Sequence, residues 1–249
     1  MSDRVRSSQH PWGTLVELCA PHLRNALDAG ATAALTEVFA ADGDGVVLLA
    51  AEGPVFCSGG DVGVLSAAAG TNTLEQLFAA SATAFAALVE SIVDCPRPVV
   101  AAVQGAAVGG GLSLALACDV RIASPSARLV PAWTRWGLPP DGCASALLAL
   151  ALGPSRASSL LVAGEELAAD SPLAPLVFSA VVPEDELRAA AVAQAQRLAA
   201  LPGARAAKAV TRSLVLPSLR AQREVELDAL ARAAADPAVL AALGSAHQP

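Results

Sequence analysis

Two glycine-rich stretches, Phe56-Cys57-Ser58-Gly59-Gly60-Asp61 and Gly105-Ala106-Ala107-Val108-Gly109-Gly110-Gly111, carry the first chemical signal in this chain. Loops of this kind often cradle phosphates. Here neither the GxGxxG fingerprint nor a phosphate loop ending in Gly-Lys-Ser/Thr occurs, so a Rossmann dehydrogenase and a nucleotide hydrolase are disfavoured. What both stretches can do is aim backbone N–H groups at one point. The second opens a helix, where free N–H groups and the macrodipole favour negative charge. Taken singly, each reads as a tight turn. Together they fit a two-donor oxyanion hole, the device for chemistry that builds charge on a carbonyl oxygen. Glycine lets the backbone approach such an oxygen without a Cβ in the way.

The flanking sequence supplies elements to hold these loops. Alternation over residues 14–18 predicts a strand with one buried face, and 27–39 has helical spacing. The apolar run at 46–50 suits a fully buried strand. Leu74, Leu77, Phe78, Ser81, Phe85, Leu88 and Ile92 recur at three and four residues, an amphipathic helix that Pro96 and Pro98 end. Residues 99–103 and 120–123 read as further strands, with a helix from the triple glycine through Ala117 between them. Beyond Gly153 the pattern is mostly helical, with one strand at 177–182 and helices at 184–201, 204–216 and 219–235. The fold class is α/β with a helical C-terminal part.

A chain of 249 residues suffices for one large domain, alone or with a small appendage. Its hydrophobic fraction of 54% includes only 3% aromatics, so the core rests on Leu and Val packing. A net charge of −7 argues against nucleic-acid binding, which needs a basic patch to neutralise phosphates. Cys19, Cys57, Cys95, Cys118 and Cys143 are scattered without a CxxC, the pattern of a reducing, cytoplasmic setting rather than a disulfide framework or zinc site. The first dozen residues carry no apolar signal core. Residues 98–118 are uncharged over a length that could span a bilayer, about 20 residues. They contain Pro98, Gln104 and four glycines, and so read as a buried strand, a turn and a buried helix, with no membrane role expected.

Arg24-Asn25-Ala26-Leu27, FCSGGD at 56–61, RPVVAAVQGAAVGGG at 97–111, ACDVRIAS at 117–124 and GLPPD at 137–141 together resemble the crotonase (enoyl-CoA hydratase/isomerase) superfamily. The resemblance implies a spiral of ββα units over residues 1–199 and a C-terminal helical region at 200–249 used in trimer or hexamer contacts. It also implies an acyl-CoA substrate whose thioester oxygen sits between the N–H groups of Gly60 and Gly110, each worth about 2.7–4 kcal/mol to the developing charge. Coenzyme A then belongs to the substrate, and neither a further cofactor nor a metal is expected. Arg24, which by resemblance contacts a CoA phosphate or else stands solvated, joins Ser58, Gly109 and Ser113 as expected substrate-binding residues.

The family's hydratases place glutamates where this chain has Ser113 and Trp133. A serine hydroxyl does not titrate near neutral pH and an indole N–H only donates, so the water-activating pair is absent. Asp141 matches the position where isomerases and chlorobenzoyl-CoA dehalogenases hold an essential carboxylate. In the dehalogenases a tryptophan precedes it by eight residues, as Trp133 does here, but their helix histidine corresponds to Ala86 and their pocket aromatic to Gly60. Two roles stand open for Asp141, catalysis and capping of the following helix, and two for Trp133, a pocket wall and a donor to Asp141. Asp61 and Asp119 read as structural. Leu243, Ala246 and Gly63 replace an aromatic and two basic residues, which predicts a weaker hold on CoA. The pocket wall is expected from residues 62–75 and from helices whose placement the sequence does not fix. Three functions follow: an isomerase-type proton shift by Asp141, a displacement or hydrolysis with Asp141 as nucleophile, and a silent acyl-CoA binder.

Overall fold

The computed structural model of the chain describes residues 2–61, 74–236 and 238–239. The expected spiral of strand, strand and helix is present. Two strands, β1 (Val5–His10) and β2 (Gly13–Leu18), pair antiparallel and lead through helix α1 (Ala29–Ala40) to β3 (Val46–Ala51). The Asp28 side chain caps α1 by accepting from the Ala31 N–H at 2.7 Å. Helix α2 (Leu74–Asp94) then precedes β4 (Val99–Val103), β5 (Ala106–Val108) and α3 (Gly110–Ala117). The next turn contributes β6 (Val120–Ala123) and β7 (Arg128–Val130), followed by α4 (Ala144–Leu152) and α5 (Pro154–Ala163). The remainder comprises β8 (Leu167–Ala168), α6 (Ala174–Val177), β9 (Ala180–Val181), α7 (Leu187–Ala199) and α8 (Ala204–Ala234).

Each turn places one strand in a large sheet, ordered β1-β2-β3-β4-β6-β9, and β5, β7 and β8 form a smaller one. From β2 onward the large sheet is parallel. Its central strands are buried on both faces, which is why β3 and β4 are continuous apolar runs rather than alternating ones. Asp119 guards the entrance to β4 by accepting the Val99 N–H at 2.7 Å, the structural role its sequence context suggested.

Three points of the sequence reading need correction. Residues 177–182 hold only a two-residue strand, because 174–177 close a short helix instead. The two C-terminal helices are one, α8, which runs through Pro217. A proline inside a helix costs about 3 kcal/mol, and here burial of Leu216 and Leu219 on either side offsets it. Strand β1 has five residues of six that are not buried, VRSSQH with Val5 alone inside, so it shows no hydrophobic pattern and is set by pairing with β2. Among the described residues one helix stretch, Gln76–Asp94, is long and apolar enough to cross a membrane by length and composition. Leu88, Val89 and Ile92 on it are fully buried in the protein core.

Candidate active site

The two glycine loops meet because their strands are zipped together. Cys57 N–H donates to the Ala106 carbonyl at 3.2 Å, and Val108 N–H to the Cys57 carbonyl at 2.8 Å. This parallel bridge extends the small sheet by one position and sets Gly59-Gly60 beside Gly109-Gly110. The closeness demands glycine. A Cβ on Gly111 would collide with the Cys57 carbonyl oxygen, and one on Gly59, at φ +86°, would lie 3.1 Å from the Gly110 nitrogen. Gly60 is different: a Cβ there would meet nothing within 4 Å, because it would point into open space. Among the described residues, neither the Gly60 nor the Gly110 N–H has a hydrogen-bond acceptor. The latter is the first N–H of α3, at the positive end of its dipole.

The open space is a cavity of about 460 Å³ that Ser58, Gly60, Gly109, Gly110, Trp133 and Asp141 all line. The sequence-predicted donors and the candidate carboxylate are thus brought to one place. Apolar side chains from α2 (Leu77, Phe78 and Phe85) and Leu230 of α8 complete much of its wall. Residues 62–73, the other expected wall, lie outside the described residues, as do Gly63, Leu243 and Ala246. Phe85 is legible in the sequence only as part of an amphipathic pattern. Its ring in fact packs on the oxyanion loop and the Asp141 turn, since a Cβ at Gly110 would come 3.0 Å from Phe85 Cζ and one at Gly142 would overlap the ring. Ala86, the neighbouring position, is buried and outside the cavity lining.

Asp141 is not the cap of α4. Its carboxylate accepts from Trp133 Nε1 at 2.9 Å, while the α4 N-terminus is held by Glu226, which sequence reading did not single out. Trp133 is therefore both wall and donor. Burial raises the Asp141 pKa above the usual carboxylate range, and the indole N–H together with the residue's own backbone N–H opposes that rise by stabilising the anion. Asp28 and Asp61 also line the cavity, but both pair with Arg4, at 3.0 and 2.8 Å. This ties Asp61 to a structural bridge, as expected.

Ser113 requires a correction. It is fully buried and absent from the cavity wall, and its hydroxyl donates to the Asp141 backbone carbonyl at 3.2 Å. It supports the aspartate from behind, away from the cavity. Arg24 also stays off the cavity lining. It adopts a left-handed backbone at φ 53°, which lets its carbonyl accept the Ser58 N–H while the residue remains exposed.

A family model described as "Enoyl-CoA hydratase/isomerase" matches residues 14–238. The chain is 36% identical over 192 residues to a probable enoyl-CoA hydratase of Rhodobacter capsulatus, covering 76% of this chain and 73% of that protein. It is 29% identical over 206 residues to 4-chlorobenzoyl coenzyme A dehalogenase-2 of Arthrobacter, covering 81% and 74%. The crystal structure of an enoyl-CoA hydratase from Mycobacterium avium subsp. paratuberculosis superposes with a TM-score of 0.86 at 29% identity over 98% of each chain. With the ββα spiral and the paired glycine loops in place, these likenesses establish that the chain belongs to the enoyl-CoA hydratase/isomerase family of the crotonase superfamily.

Proposed function

We propose that the protein is an enoyl-CoA isomerase-type enzyme in which Asp141 moves a proton along an acyl chain while Gly60 and Gly110 hold the enolate oxygen. The observation that carries this reading is the pairing of carboxylates in the cavity. Among the described lining residues Asp141 is the carboxylate without a cationic partner, and, half-buried, it lines the same cavity as two unengaged N–H donors. In a 3-enoyl-CoA, the Asp141 carboxylate would take a proton from C2. The electron pair then spreads through the carbonyl and the C3–C4 double bond, with charge on the thioester oxygen between the two N–H groups. The protonated Asp141 returns the proton at C4 and leaves the 2-enoyl thioester. One acid–base group suffices, and a raised pKa suits a carboxyl that must both accept and return a proton. Addition of water is not favoured, because Ser113 and Trp133 supply no base.

A second reading is favoured by the Trp133–Asp141 hydrogen bond. An indole donor on Oδ1 fixes the carboxylate and leaves Oδ2 able to attack a halogen-bearing carbon of an aroyl-CoA ring, from which halide departs, or a thioester carbonyl, from which the CoA thiolate departs, the displacement reading suggested by similarity to the Arthrobacter dehalogenase. The two are separated by incubating 3-enoyl-CoA in deuterated buffer while following the intact mass of the protein. Conversion to the 2-enoyl thioester without an adduct is expected, with label at C4 to the extent that protonated Asp141 exchanges with the buffer before it returns the proton; a covalent adduct on Asp141 would instead support the nucleophile. Asp141→Asn should lower kcat by roughly 10²–10⁴-fold with CoA-thioester binding retained. Retained turnover would overturn both readings, and no turnover of any thioester by the parent protein would leave a silent binder.

A further inference from the structure

Glu226 is a carboxylate with 4% exposure on α8, far in sequence from the loops it meets. One oxygen accepts the Cys143 N–H at 2.7 Å. The other accepts both the Ser145 N–H at 3.0 Å and the Ser145 hydroxyl at 2.5 Å. These donors sit at the start of α4, where no local side chain caps the helix. Gly142 alone separates Asp141 from the anchored Cys143, and Gly142 and Cys143 are both left-handed at φ 60°. Cys143 is not a glycine, so its conformation is uphill by about 1 kcal/mol or more unless its surroundings impose it. A buried carboxylate gripping the Cys143 amide is such an imposition.

We propose that Glu226 is a positioning residue for Asp141. It clamps the left-handed Gly142-Cys143 link from α8 and thereby sets where the Asp141 carboxylate stands, so that catalysis depends on the docking of the C-terminal helix. The inference rests on the reading of Asp141 as the acid–base group. Charge adds to the mechanical effect. The charged and titratable groups around the clamp are Asp141, the Cys143 thiol and the Glu90–Arg223 pair joining α2 to α8. Once ionised, Asp141 makes the Glu226 carboxyl harder to deprotonate, so the two groups are coupled.

The experiment compares Glu226→Gln, Ser145→Ala and Asp141→Asn with the parent protein in proton exchange and isomerisation of 3-enoyl-CoA. In parallel, the Asp141 carboxyl is titrated by carbon-13 NMR of aspartate-labelled protein. Glutamine keeps the shape but turns an N–H donor toward amides that also donate. Glu226→Gln is expected to lower kcat by about tenfold or more with KM within about twofold, as for loss of positioning rather than of binding. It should also move the Asp141 titration to higher pH, because a displaced carboxyl loses the Trp133 N–H that stabilises its anion. Ser145→Ala, which removes one contact and keeps the charge, should lower kcat less and leave the titration in place. Unchanged kcat and an unmoved Asp141 titration in folded Glu226→Gln would overturn the proposal while leaving the reading of Asp141 intact. If Glu226→Gln does not fold, Ser145→Ala decides by whether its kcat falls at unchanged KM. Full activity in Asp141→Asn would instead remove the reading on which the proposal stands.

Discussion

Asp141 shows how much a single side chain owes to its immediate partners. Its pKa is raised by burial and restrained by the Trp133 N–H, so the two effects pull in opposite directions. Removing the indole donor removes only the restraint. Trp133→Phe is therefore expected to raise the Asp141 pKa further, because the anion loses a hydrogen bond that the neutral acid needs less. In the isomerase reading the carboxylate is the active form at the start of the cycle. The kcat profile of Trp133→Phe should accordingly rise with pH through a higher midpoint than the parent's. A profile that keeps its midpoint would show that Trp133 acts as a wall alone. Ser113 offers the converse lesson, since a residue expected at the substrate spends its hydroxyl on a backbone carbonyl behind the site.

At the level of elements, the oxyanion hole is a product of strand pairing. The bridge between Cys57 and Ala107 sets the spacing of the two loops, and the glycines differ in what they are for. Gly111 exists so that α3 can pass the Cys57 carbonyl, whereas Gly60 has room for a side chain and an ordinary backbone. Gly111→Ala is expected to lose more than about 3 kcal/mol in urea unfolding, because overpacking against backbone cannot relax by a rotamer change. Gly60→Ala should unfold within about 0.5 kcal/mol of the parent and show its effect in kcat and KM. Similar losses in both variants would mean that the loop contacts are not as tight as described. The α4 N-terminus belongs to this scale too: its cap comes from another helix, so no capping box marks it in the local sequence.

Across the whole molecule, α8 is fastened at two buried charges. Lys208 near its start pairs with Asp119 at 2.8 Å and donates to the Ile92 and Arg97 carbonyls, and Glu226 holds the active-site turn farther along. Burial pushes the Glu226 pKa from 4.5 up to about 7. The native protein then keeps a proton that the unfolded chain has already released between these values. Stability should fall as pH rises from about 4.5 to about 7, by on the order of 3 kcal/mol from this group, with the penalty complete above that window. Asp141 acts with the same sign. Thermal unfolding across the window should show the decline, and Glu226→Gln should flatten it; an equal slope in the variant would locate the titration elsewhere. On the outer side of α8, Val210 and Leu214 stand one turn apart and are 68% and 74% exposed. They suit the subunit contacts that the family resemblance implies, and light scattering is expected to give a mass three times that of the chain, or six; a monomer at micromolar concentration would refute this.

Local pattern showed the buried strands and the glycine loops, and the resemblance of several motifs to a known family pointed to that family and to Asp141 as the candidate carboxylate. Those features depend on hydrophobic runs, on spacing and on glycine where a Cβ has no room, all of which are written in neighbouring residues. The cap of α4, the unbroken course of α8 through Pro217, the retreat of Ser113 from the cavity and the clamp by Glu226 were not legible in this way. Each is settled by contacts between segments far apart in the chain, Glu226 lying 83 residues from Cys143. The ionisation of Asp141 belongs with them, because a carboxylate's pKa answers to the burial and hydrogen bonds that assembly creates, and no spacing of residue types encodes their balance.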